Sequence, residues 1–329
     1  MPNIKVPPIL IDLAHVGTNG LPLSSDPLLQ HELEICREWG FSLRVAGDRV
    51  SLVFDQEQLV PYWIQKEAAS IAWDGIRVHG FLRVDSTNGE ALRMARNGAP
   101  AGTLVYAEEQ TEGRGRLGRS WFSPPRSGLY SSLILRPGQQ RKYWPLLTHA
   151  ASIALADTLK ALSDCMPVPC PLDVDLKWPN DVLLARKKVA GILLETTEAE
   201  GENHALVLGL GINVHKESYP ESLKSEAVCL DEIAGSPVPR RRLLVQFLYH
   251  FQRIYQLFEE GRHAELLERW KGLSSMWNEV PIWINESGTR RPAVTCGLDE
   301  LGALLVRTEQ GAVETILAGD ISIRTVRNS

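Results

Sequence analysis

The first 70 positions show hydrophobic patterns that predict two short helices followed by a hairpin. Residues 8–16 are mostly apolar and predict a helix. A second helix is expected over residues 26–39, because an Asp-Pro pair begins it, apolar positions recur about every 3.6 residues and a glycine follows. Residues 41–54 alternate between polar and apolar side chains around a central Ala-Gly-Asp turn, which is typical of a two-stranded wing. A helix followed by such a wing indicates the back half of a winged helix.

This N-terminal unit lacks room for the front half of a helix-turn-helix. Such a motif needs two helices joined by a short turn, yet only residues 17–25, which are interrupted by Gly20 and Pro22, separate the two predicted helices. The helix at residues 26–39 also carries four acidic residues and one arginine, whereas a helix that approaches phosphates is normally basic. We therefore interpret residues 1–70 as a degenerate winged-helix-like unit with a docking or vestigial role, and we do not expect it to bind DNA.

From Trp73 onward the pattern becomes mixed α and β. Apolar runs predict strands at residues 76–84, 103–108, 128–135, 174–178, 182–184, 189–195 and 205–210. Helical periodicity predicts a helix that begins at the capping residues 85–88 and ends at residue 96, and further helices at residues 146–162, 240–260 and 263–271. The gaps between the strands from 174 to 210 are too short for crossover helices, so antiparallel pairing is expected there. Short apolar runs in residues 280–326, separated by Gly288, Gly297, Gly302, Gly311 and Gly319, predict a small barrel of about 50 residues.

The composition is that of an ordinary globular chain. Its 329 residues are 44% hydrophobic with a formal net charge of -5, which suits two or three domains and does not suggest a protein that coats nucleic acid. We expect no secretory leader, and no membrane span because no apolar stretch approaches about 20 residues. The five cysteines are scattered without metal-site spacing, so we interpret them as reduced residues of a cytoplasmic protein: Cys36, Cys165, Cys170, Cys229 and Cys296.

The stretch from residue 112 to residue 121 concentrates glycine and arginine. Three glycines (113, 115 and 118) alternate with three arginines (114, 116 and 119). Glycine allows a backbone to approach a ligand closely, and arginine offers a fork of donors that fits carboxylate or phosphate oxygens. Such a segment would be poorly ordered alone, and it suits a clamp over a small, strongly anionic ligand. A solvated basic loop or an Arg-Gly contact to nucleic acid fits the composition equally well.

Four motifs in a fixed order identify a family that the chain resembles. They are Asp-Ser-Thr-Asn at 85–88, the glycine-arginine run at 113–119 with Trp121, Lys-Trp-Pro-Asn-Asp at 177–181, and Gly-Leu-Gly-Ile-Asn at 209–213. Together with Val-Ala-Gly-Ile-Leu at 189–193, they resemble the biotin–protein ligases (biotin–[acetyl-CoA-carboxylase] ligases) from about residue 78 to the C-terminus. The likeness is fainter before residue 70, where bifunctional members carry a winged-helix repressor domain.

The resemblance implies an α+β fold, in which a central mixed sheet backed by helices is followed by a C-terminal SH3-like barrel. The expected units are the winged-helix-like residues 1–70, a catalytic domain at 71–275 and the SH3-like domain at 276–329. The implied reaction forms biotinyl-5'-AMP from biotin and Mg-ATP and then transfers biotin to a lysine of a biotin carboxyl-carrier protein. The resemblance also allows a homodimer along a sheet edge.

The chemistry of the implied reaction suggests roles for the charged residues. The biotin carboxylate must approach the α-phosphate of ATP, so fixed cations are needed to offset the repulsion between two anions. We assign Lys177, at a strand end before a Trp-Pro turn, and Arg116 to catalysis. Lys187 or Lys188 could reach a phosphate, but a solvated hairpin is the favoured interpretation of this pair.

The remaining expected contacts divide between the two substrates. For biotin they are Ser86, Thr87, Asn88, Gln110, Arg114, Gly115, Arg116, Lys177 and Gly191. For ATP or the adenylate they are Arg116, Arg119, Trp121, Asn180, Gly211 and Asn213. Hydroxyl and amide groups suit the neutral ureido ring of biotin, although residues 86–88 also suit a plain helix cap, Trp121 a core position and Gly209 and Gly211 a strand bulge. No motif fixes metal ligands, so Mg²⁺ is expected to be held largely by phosphates and water.

Residues 214–229 resemble the segment that covers the adenylate and keeps water from it. This segment has no tryptophan to lie over adenine, unlike that of some relatives. Two other functions stay open at this stage: a lipoate–protein ligase, which shares the fold and the adenylation step, and a biotin-responsive repressor that binds DNA through residues 1–70.

Overall fold

The computed structural model describes residues 3–71, 75–164, 172–197, 204–286, 289–317 and 320–323. Its strands are β1 (Ile4–Lys5), β2 (Leu21–Pro22), β3 (Leu43–Ala46), β4 (Arg49–Leu52), β5 (Arg77–Val84), β6 (Thr103–Gln110), β7 (Gly128–Leu135), β8 (Val174–Lys177), β9 (Asp181–Leu184), β10 (Lys187–Thr196), β11 (Leu206–Asn213), β12 (Asn278–Glu286), β13 (Thr289–Leu298), β14 (Leu304–Arg307), β15 (Val313–Ile316) and β16 (Asp320–Ile323). Its helices are α1 (Pro8–Val16), α2 (Pro27–Glu38), α3 (Pro61–Ile71), α4 (Thr87–Arg96), α5 (Leu146–Asp164), α6 (Leu230–Ala234), α7 (Arg240–Glu259) and α8 (His263–Lys271).

Eight strands form one large mixed sheet in the order β1-β5-β6-β7-β11-β10-β9-β8. The pair β5–β6 is parallel, because helix α4 crosses between its strands, and the other neighbours are antiparallel. The expected α+β fold and the antiparallel pairing after residue 174 are confirmed. The strands were placed from local patterns, and their bounds differ from the expected ones by three residues or fewer.

The two faces of the large sheet are covered differently. Helices α5 and α7 pack on one face, with α8 against both helices, and an extensive apolar cluster there includes Leu206, Leu208 and Leu210 of β11. On the other face a smaller cluster holds α4 against β5, β6 and Val207 of β11. Alternate residues of a strand point to the same side of a sheet. Beyond the N-terminal end of α4, the strand positions that point to this second face are occupied by glycines instead of apolar residues. A cleft opens there.

The N-terminal unit contains the predicted helices and wing, with β2, β4 and β3 in a small sheet. The side chain of Asp26 accepts a hydrogen bond from the backbone of Leu28, as expected of a cap. Between α1 and α2 lie only a 3₁₀ turn at residues 17–19 and β2, which agrees with the missing helix. Helix α3 was not predicted. Its contacts join this unit to β5 and α7.

The N-terminal unit is not separate from the rest of the chain. Strand β1 pairs with β5 at the edge of the large sheet, where Ile4 lies opposite Arg83. One continuous apolar cluster contains Leu10 of α1 together with Phe251 of α7. The division at residue 70 thus stays a prediction about sequence units, while the packing continues across it.

The C-terminal unit is a five-stranded antiparallel sheet in the order β15-β14-β13-β12-β16. This small sheet agrees with the expected SH3-like barrel. Part of what was predicted lies outside the described residues: Trp73, Cys165, Cys170, Gly288, Gly319 and the end of the barrel range at 324–326. Within the described ranges, no helix has the length and apolar character that crossing a membrane requires.

Candidate active site

Glycines form the floor of the cleft. Gly191 of β10 and Gly211 of β11 are register partners, and the indole of Trp121 lies over both. A Cβ atom on Gly211 would stand 2.6 Å from Cε2 of Trp121, and one on Gly191 would stand 3.0 Å from its Cζ3. The third glycine, Gly209, gives the same room to the amide of Asn88. These glycines are therefore required by the close approach of side chains that line the cleft.

Polar groups at the start of α4 form one wall. Ser86 caps the helix, and Thr87 donates both its backbone N–H (2.9 Å) and its hydroxyl (3.1 Å) to Oε1 of Gln110. The hydroxyl of Ser132 lies 2.8 Å from Oγ1 of Thr87 and 2.6 Å from Oδ1 of Asn88. Since the N-terminal end of a helix carries a partial positive charge, this wall favours a polar or anionic ligand.

The glycine-arginine loop is a short hairpin that closes the cleft. The backbone N–H of Gly115 donates to the carbonyl of Arg119 at 2.7 Å, and that of Trp121 donates to Gly113 at 2.8 Å. A 3₁₀ turn at residues 116–118 forms its tip. These two hydrogen bonds pair two backbone N–H groups with two carbonyls, which gives the loop a defined shape in spite of its glycine-rich and arginine-rich composition.

The arginines of this loop reach different parts of the cleft. Arg114 pairs with Glu195 at 3.2 Å, and Nη1 of Arg116 lies 3.4 Å from Oδ1 of Asn180. Burial, which disfavours a charged group, lowers the pKa of Arg116 although Asp181 acts in the opposite direction. A guanidinium without full hydration binds an incoming anion more strongly, because less water has to be displaced.

Lys188 supplies the ammonium group of the cleft. Its Nζ lies 2.7 Å from Oδ1 of Asp181 and 5.2 Å from the centre of the Trp121 ring. The pairing of β10 with β9 shifts register between Lys188 and Ala190, so one extra residue bulges there. Without the bulge, alternation would turn Lys188 away from Gly191; with it, the side chain faces the cleft. The interpretation of Lys188 as part of a solvated hairpin is wrong.

Lys177 does not line the cleft. Its register partner is Asp181, so Lys177 is on the correct face of the sheet, but β8 is the outermost strand. At about 4.8 Å per strand, its Cα stands roughly 10 Å from that of Gly191. Lys177 therefore lies outside the cleft in which it was expected, whereas Lys188 lies within it.

Asn213 does not line the cleft either. It is buried, and its amide donates to the carbonyl of Lys188 at 3.3 Å. The segment that follows it contains short 3₁₀ turns at residues 216–218 and 221–223. Backbone hydrogen bonds then hold Lys188 between Glu226 and Val228, at 2.8 and 3.0 Å. This segment and Asn213 together fix the backbone that carries the ammonium group.

The cleft brings most of the expected residues together. Those that line it are Ser86, Thr87, Asn88, Gln110, Arg114, Gly115, Arg116, Arg119, Trp121, Asn180, Gly191 and Gly211. Lys177 and Asn213 do not. Sequence reasoning missed Lys188, Asp181 and Ser120, which also line it. The sequence signal for Lys188 was its position directly before the Val-Ala-Gly run. The bulge that turns its side chain toward the cleft has no local sequence signature.

A second cavity adjoins the cleft. The cleft encloses about 120 Å³ and the neighbouring cavity about 450 Å³, and Arg116, Asn180 and Ile192 belong to the walls of both. The larger cavity lies between the sheet and the C-terminal unit, where buried His149 contacts Gly302. Two substrates can thus be held side by side with Arg116 between them.

The carboxylates at the cleft are engaged by cations. Asp181 pairs with Lys188, and Glu195 pairs with Arg114. Within the described ranges, no three His, Cys, Asp or Glu side chains are grouped as metal ligands. Cys36, Cys229 and Cys296 are free thiols. The donor set does not fit a metal ion held by protein side chains alone.

Comparison with known proteins gives a consistent result. The family model described as the biotin/lipoate A/B protein ligase family matches residues 80–213, and the biotin protein ligase C-terminal domain model matches residues 296–324. The bifunctional ligase/repressor BirA of Bacillus subtilis is 32% identical over 251 residues, which are 73% of this chain and 72% of that protein. The biotin–[acetyl-CoA-carboxylase] ligase of Paracoccus denitrificans is 32% identical over 232 residues, 70% of this chain and 93% of that protein. The solved biotin protein ligase from Aquifex aeolicus in complex with biotin and ATP superposes with a TM-score of 0.63 at 30% identity, covering 76% of this chain and 99% of that one.

Proposed function

Because the chain belongs to the biotin–protein ligase family, we propose that it joins biotin to ATP as biotinyl-5'-AMP, releases pyrophosphate, and transfers the biotin to one lysine of a biotin carboxyl-carrier domain. It is an ATP-dependent biotin ligase. The identity of the acceptor and the roles of single residues belong to the proposal.

The observation that carries the proposal is a group of cations around a glycine floor. Lys188, Arg114, Arg116 and Arg119 come from two different elements and line one cleft. Adenylation forces a carboxylate against a phosphate, and it adds charge to the α-phosphate in the transition state. Fixed cations at that point offset the repulsion and stabilise the displacement, and a group of this kind contributes about 10²–10³-fold to a rate.

We assign the biotin carboxylate to Lys188 and the α-phosphate to Arg116. Lys188 lies beside the indole of Trp121, an apolar surface suited to the carbon chain and ring of biotin. Arg116 lies between the cleft and the larger cavity, and this places it where two bound substrates would meet. The Lys188–Asp181 pair holds the ammonium group in place until the carboxylate binds.

The polar wall suits the ureido ring of biotin. Thr87, Asn88, Gln110 and Ser132 present hydroxyls and amides in one hydrogen-bonded group. A urea offers two N–H donors and one carbonyl acceptor, so it can be matched by such mixed partners. In the described part of the chain, no acceptor lies within reach of the buried Nε1 of Trp121, which leaves that donor for a ligand. Lipoate has no urea and would leave the wall without partners, so this wall favours biotin over lipoate.

Mg²⁺ belongs to the proposal as part of the nucleotide substrate, since the carboxylates at the cleft are already engaged by cations.

The repressor function receives no support from the N-terminal unit, because the middle helix is missing and α2 is acidic. A homodimer along a sheet edge stays a prediction, and sedimentation with the adenylate bound tests it.

Biotin-dependent exchange of pyrophosphate into ATP tests the first half-reaction. We expect the Lys188→Ala and Arg116→Ala variants to lose about 10²–10³-fold in exchange rate. Lys177→Ala is the matched control, because it removes an ammonium group from the same face of the sheet outside the cleft. Its loss should be much smaller; a larger loss for Lys177→Ala than for Lys188→Ala would overturn the assignment.

Transfer requires a separate experiment. Incubation with biotin, ATP and a carboxyl-carrier domain should add one biotin to one lysine, as read by mass spectrometry. Addition of excess lipoate should leave the exchange rate unchanged. Exchange driven by lipoate, or absence of a modified carrier lysine, would contradict the proposed substrate or acceptor.

A further inference from the structure

A chain of alternating charges runs from the sheet to the segment that follows β11. Its members, each in contact with the next, are Glu108, Arg240, Glu57, His215 and Asp231. Nδ1 of His215 lies 2.8 Å from Oδ2 of Asp231, and Nε2 lies 3.2 Å from Oε1 of Glu57. None of these residues lines the cleft.

His215 joins three parts of the chain through its imidazole and its backbone N–H. Glu57 lies in the connector between the wing and α3 of the N-terminal unit, and Asp231 lies in α6. The backbone N–H of His215 also donates to the carbonyl of Ser127 at 2.7 Å, beside the start of β7. The position of His215 is thereby fixed from the N-terminal unit, from the large sheet and from α6.

The segment that begins at His215 leads directly to Lys188. The carbonyl of Glu226 and the N–H of Val228 bond to the backbone of Lys188. A third contact lies nearby, where Nζ of Lys187 donates to the carbonyl of Lys224 at 2.9 Å. Displacement of residues 215–228 would therefore remove the backbone support of the lysine that faces the cleft.

We propose that His215 is a positioning residue, which ties residues 215–228 to Glu57 and Asp231 and so holds Lys188 in the cleft. The N-terminal unit then takes part in catalysis through Glu57, without touching a substrate. This inference rests on the proposed role of Lys188 in biotin activation.

The protonation state of His215 decides whether both contacts can exist. A protonated imidazole donates from both nitrogens, whereas a neutral one donates from only one of them. The charged groups that face it are Glu57 and Asp231, with Arg240 and Glu108 behind Glu57. Burial alone would lower the pKa of His215, but the hydrogen bonds that its ring donates to Glu57 and Asp231 outweigh burial, and the pKa is raised above its usual value. The double contact is thus present below the raised pKa and is lost as pH rises through it.

Pyrophosphate exchange measured from about pH 6 to about pH 9 tests the inference. In the unchanged protein, kcat/KM for biotin should fall about tenfold as pH rises through the pKa of His215. His215→Gln should show the low value at all these pH values, and His215→Lys should shift the fall to higher pH. His31→Gln, at an exposed position of α2, is the matched control and should follow the unchanged protein.

Hydrogen exchange supplies a readout that needs no variant. The amides of residues 216–228 should lose protection in the same pH range, while those of β11 stay protected. Unchanged protection together with a His215→Gln profile identical to that of the unchanged protein would overturn the role of His215. If the unchanged protein showed no biotin-dependent exchange at any pH, the proposed function itself would fail, and the two failures are therefore distinguishable.

Discussion

The buried guanidinium of Arg240 gives the sharpest test of how the N-terminal unit is held. Only 1% of its side chain is exposed, and its partner Glu108 is 2% exposed. Nη1 of Arg240 donates to Oε2 of Glu108 at 2.6 Å, and the backbone N–H donates to Oε2 of Glu57 at 3.1 Å. Replacement of Arg240 by Met keeps most of the side-chain volume and removes only the charge and its donors.

The expected loss of stability in Arg240→Met follows from the carboxylate that loses its partner. Glu108 would stay in the interior without its cation, and breaking a buried pair in this way costs about 3–5 kcal/mol. A domain is stable by only about 5–15 kcal/mol, so Arg240→Met should lose a large fraction of its free energy of unfolding. Removal of both charges in Arg240→Met with Glu108→Leu should restore most of the loss, because the buried carboxylate of Glu108 is then gone and the partly exposed Glu57 keeps His215 as a partner.

Urea unfolding followed by circular dichroism measures these quantities. Arg242→Met, two residues further along α7 at a partly exposed position, is the matched control and should stay within about 0.5 kcal/mol of the unchanged protein. The reasoning is refuted if Arg240→Met loses less than about 1 kcal/mol, or if the double variant is as unstable as the sum of the single ones.

Three further predictions concern other parts of the molecule. Gly211→Ala should raise KM for biotin about tenfold in the exchange assay, because its Cβ would stand 2.6 Å from Trp121 and displace the indole. A fragment that lacks residues 1–70 should sediment with the insoluble material after expression, because it loses the carbonyl partners of the fully buried Arg241 and exposes the edge of β5. Burial lowers the pKa of His149 in the folded protein to about 4. As the pH falls, the His149 imidazole is protonated at a higher pH in the unfolded state than in the folded state, so the free energy of unfolding should fall by up to about 3 kcal/mol between pH 6.5 and pH 4.

Each of these has its own control. Gly272→Ala places a methyl group where the nearest atom is 3.5 Å away, and it should leave KM unchanged. Cooperative unfolding of the fragment at the midpoint of the full chain would contradict the second prediction. His149→Leu should lose the acid-dependent part of the stability change, and an unaltered pH dependence in this variant would exclude His149 as its cause.

The secondary structure could be predicted because its signals are local. The strand at residues 128–135 has its predicted bounds, since prolines and a serine precede a mostly apolar run. The Asp26–Pro27 start of α2 likewise depends on adjacent residues. Helix α3 was missed because its apolar positions face several partners, and β1 was missed because two residues carry no period.

The candidate site could be predicted where the residues that form one part of the cleft are neighbours in the sequence. The glycine-arginine loop and the polar start of α4 are each contiguous in sequence. The choice between Lys177 and Lys188 depended on information that no local window of the sequence contains, because each is a lysine at the end of an apolar strand segment. The order of strands in the sheet and one bulge in β10 decide it. The burial of Arg240 is hidden for the same reason, since helix periodicity treats charged residues as exposed.

The pairing of β1 with β5 has a consequence for synthesis on the ribosome. Residues 4–5 are made long before Phe81 and Arg83, the partners they take in the finished sheet. At about 5–20 residues per second, they wait roughly 4–15 s for those partners to be translated. During that interval β1 has no strand to pair with, so the edge of the large sheet is completed by a segment that was translated well before its partner strand.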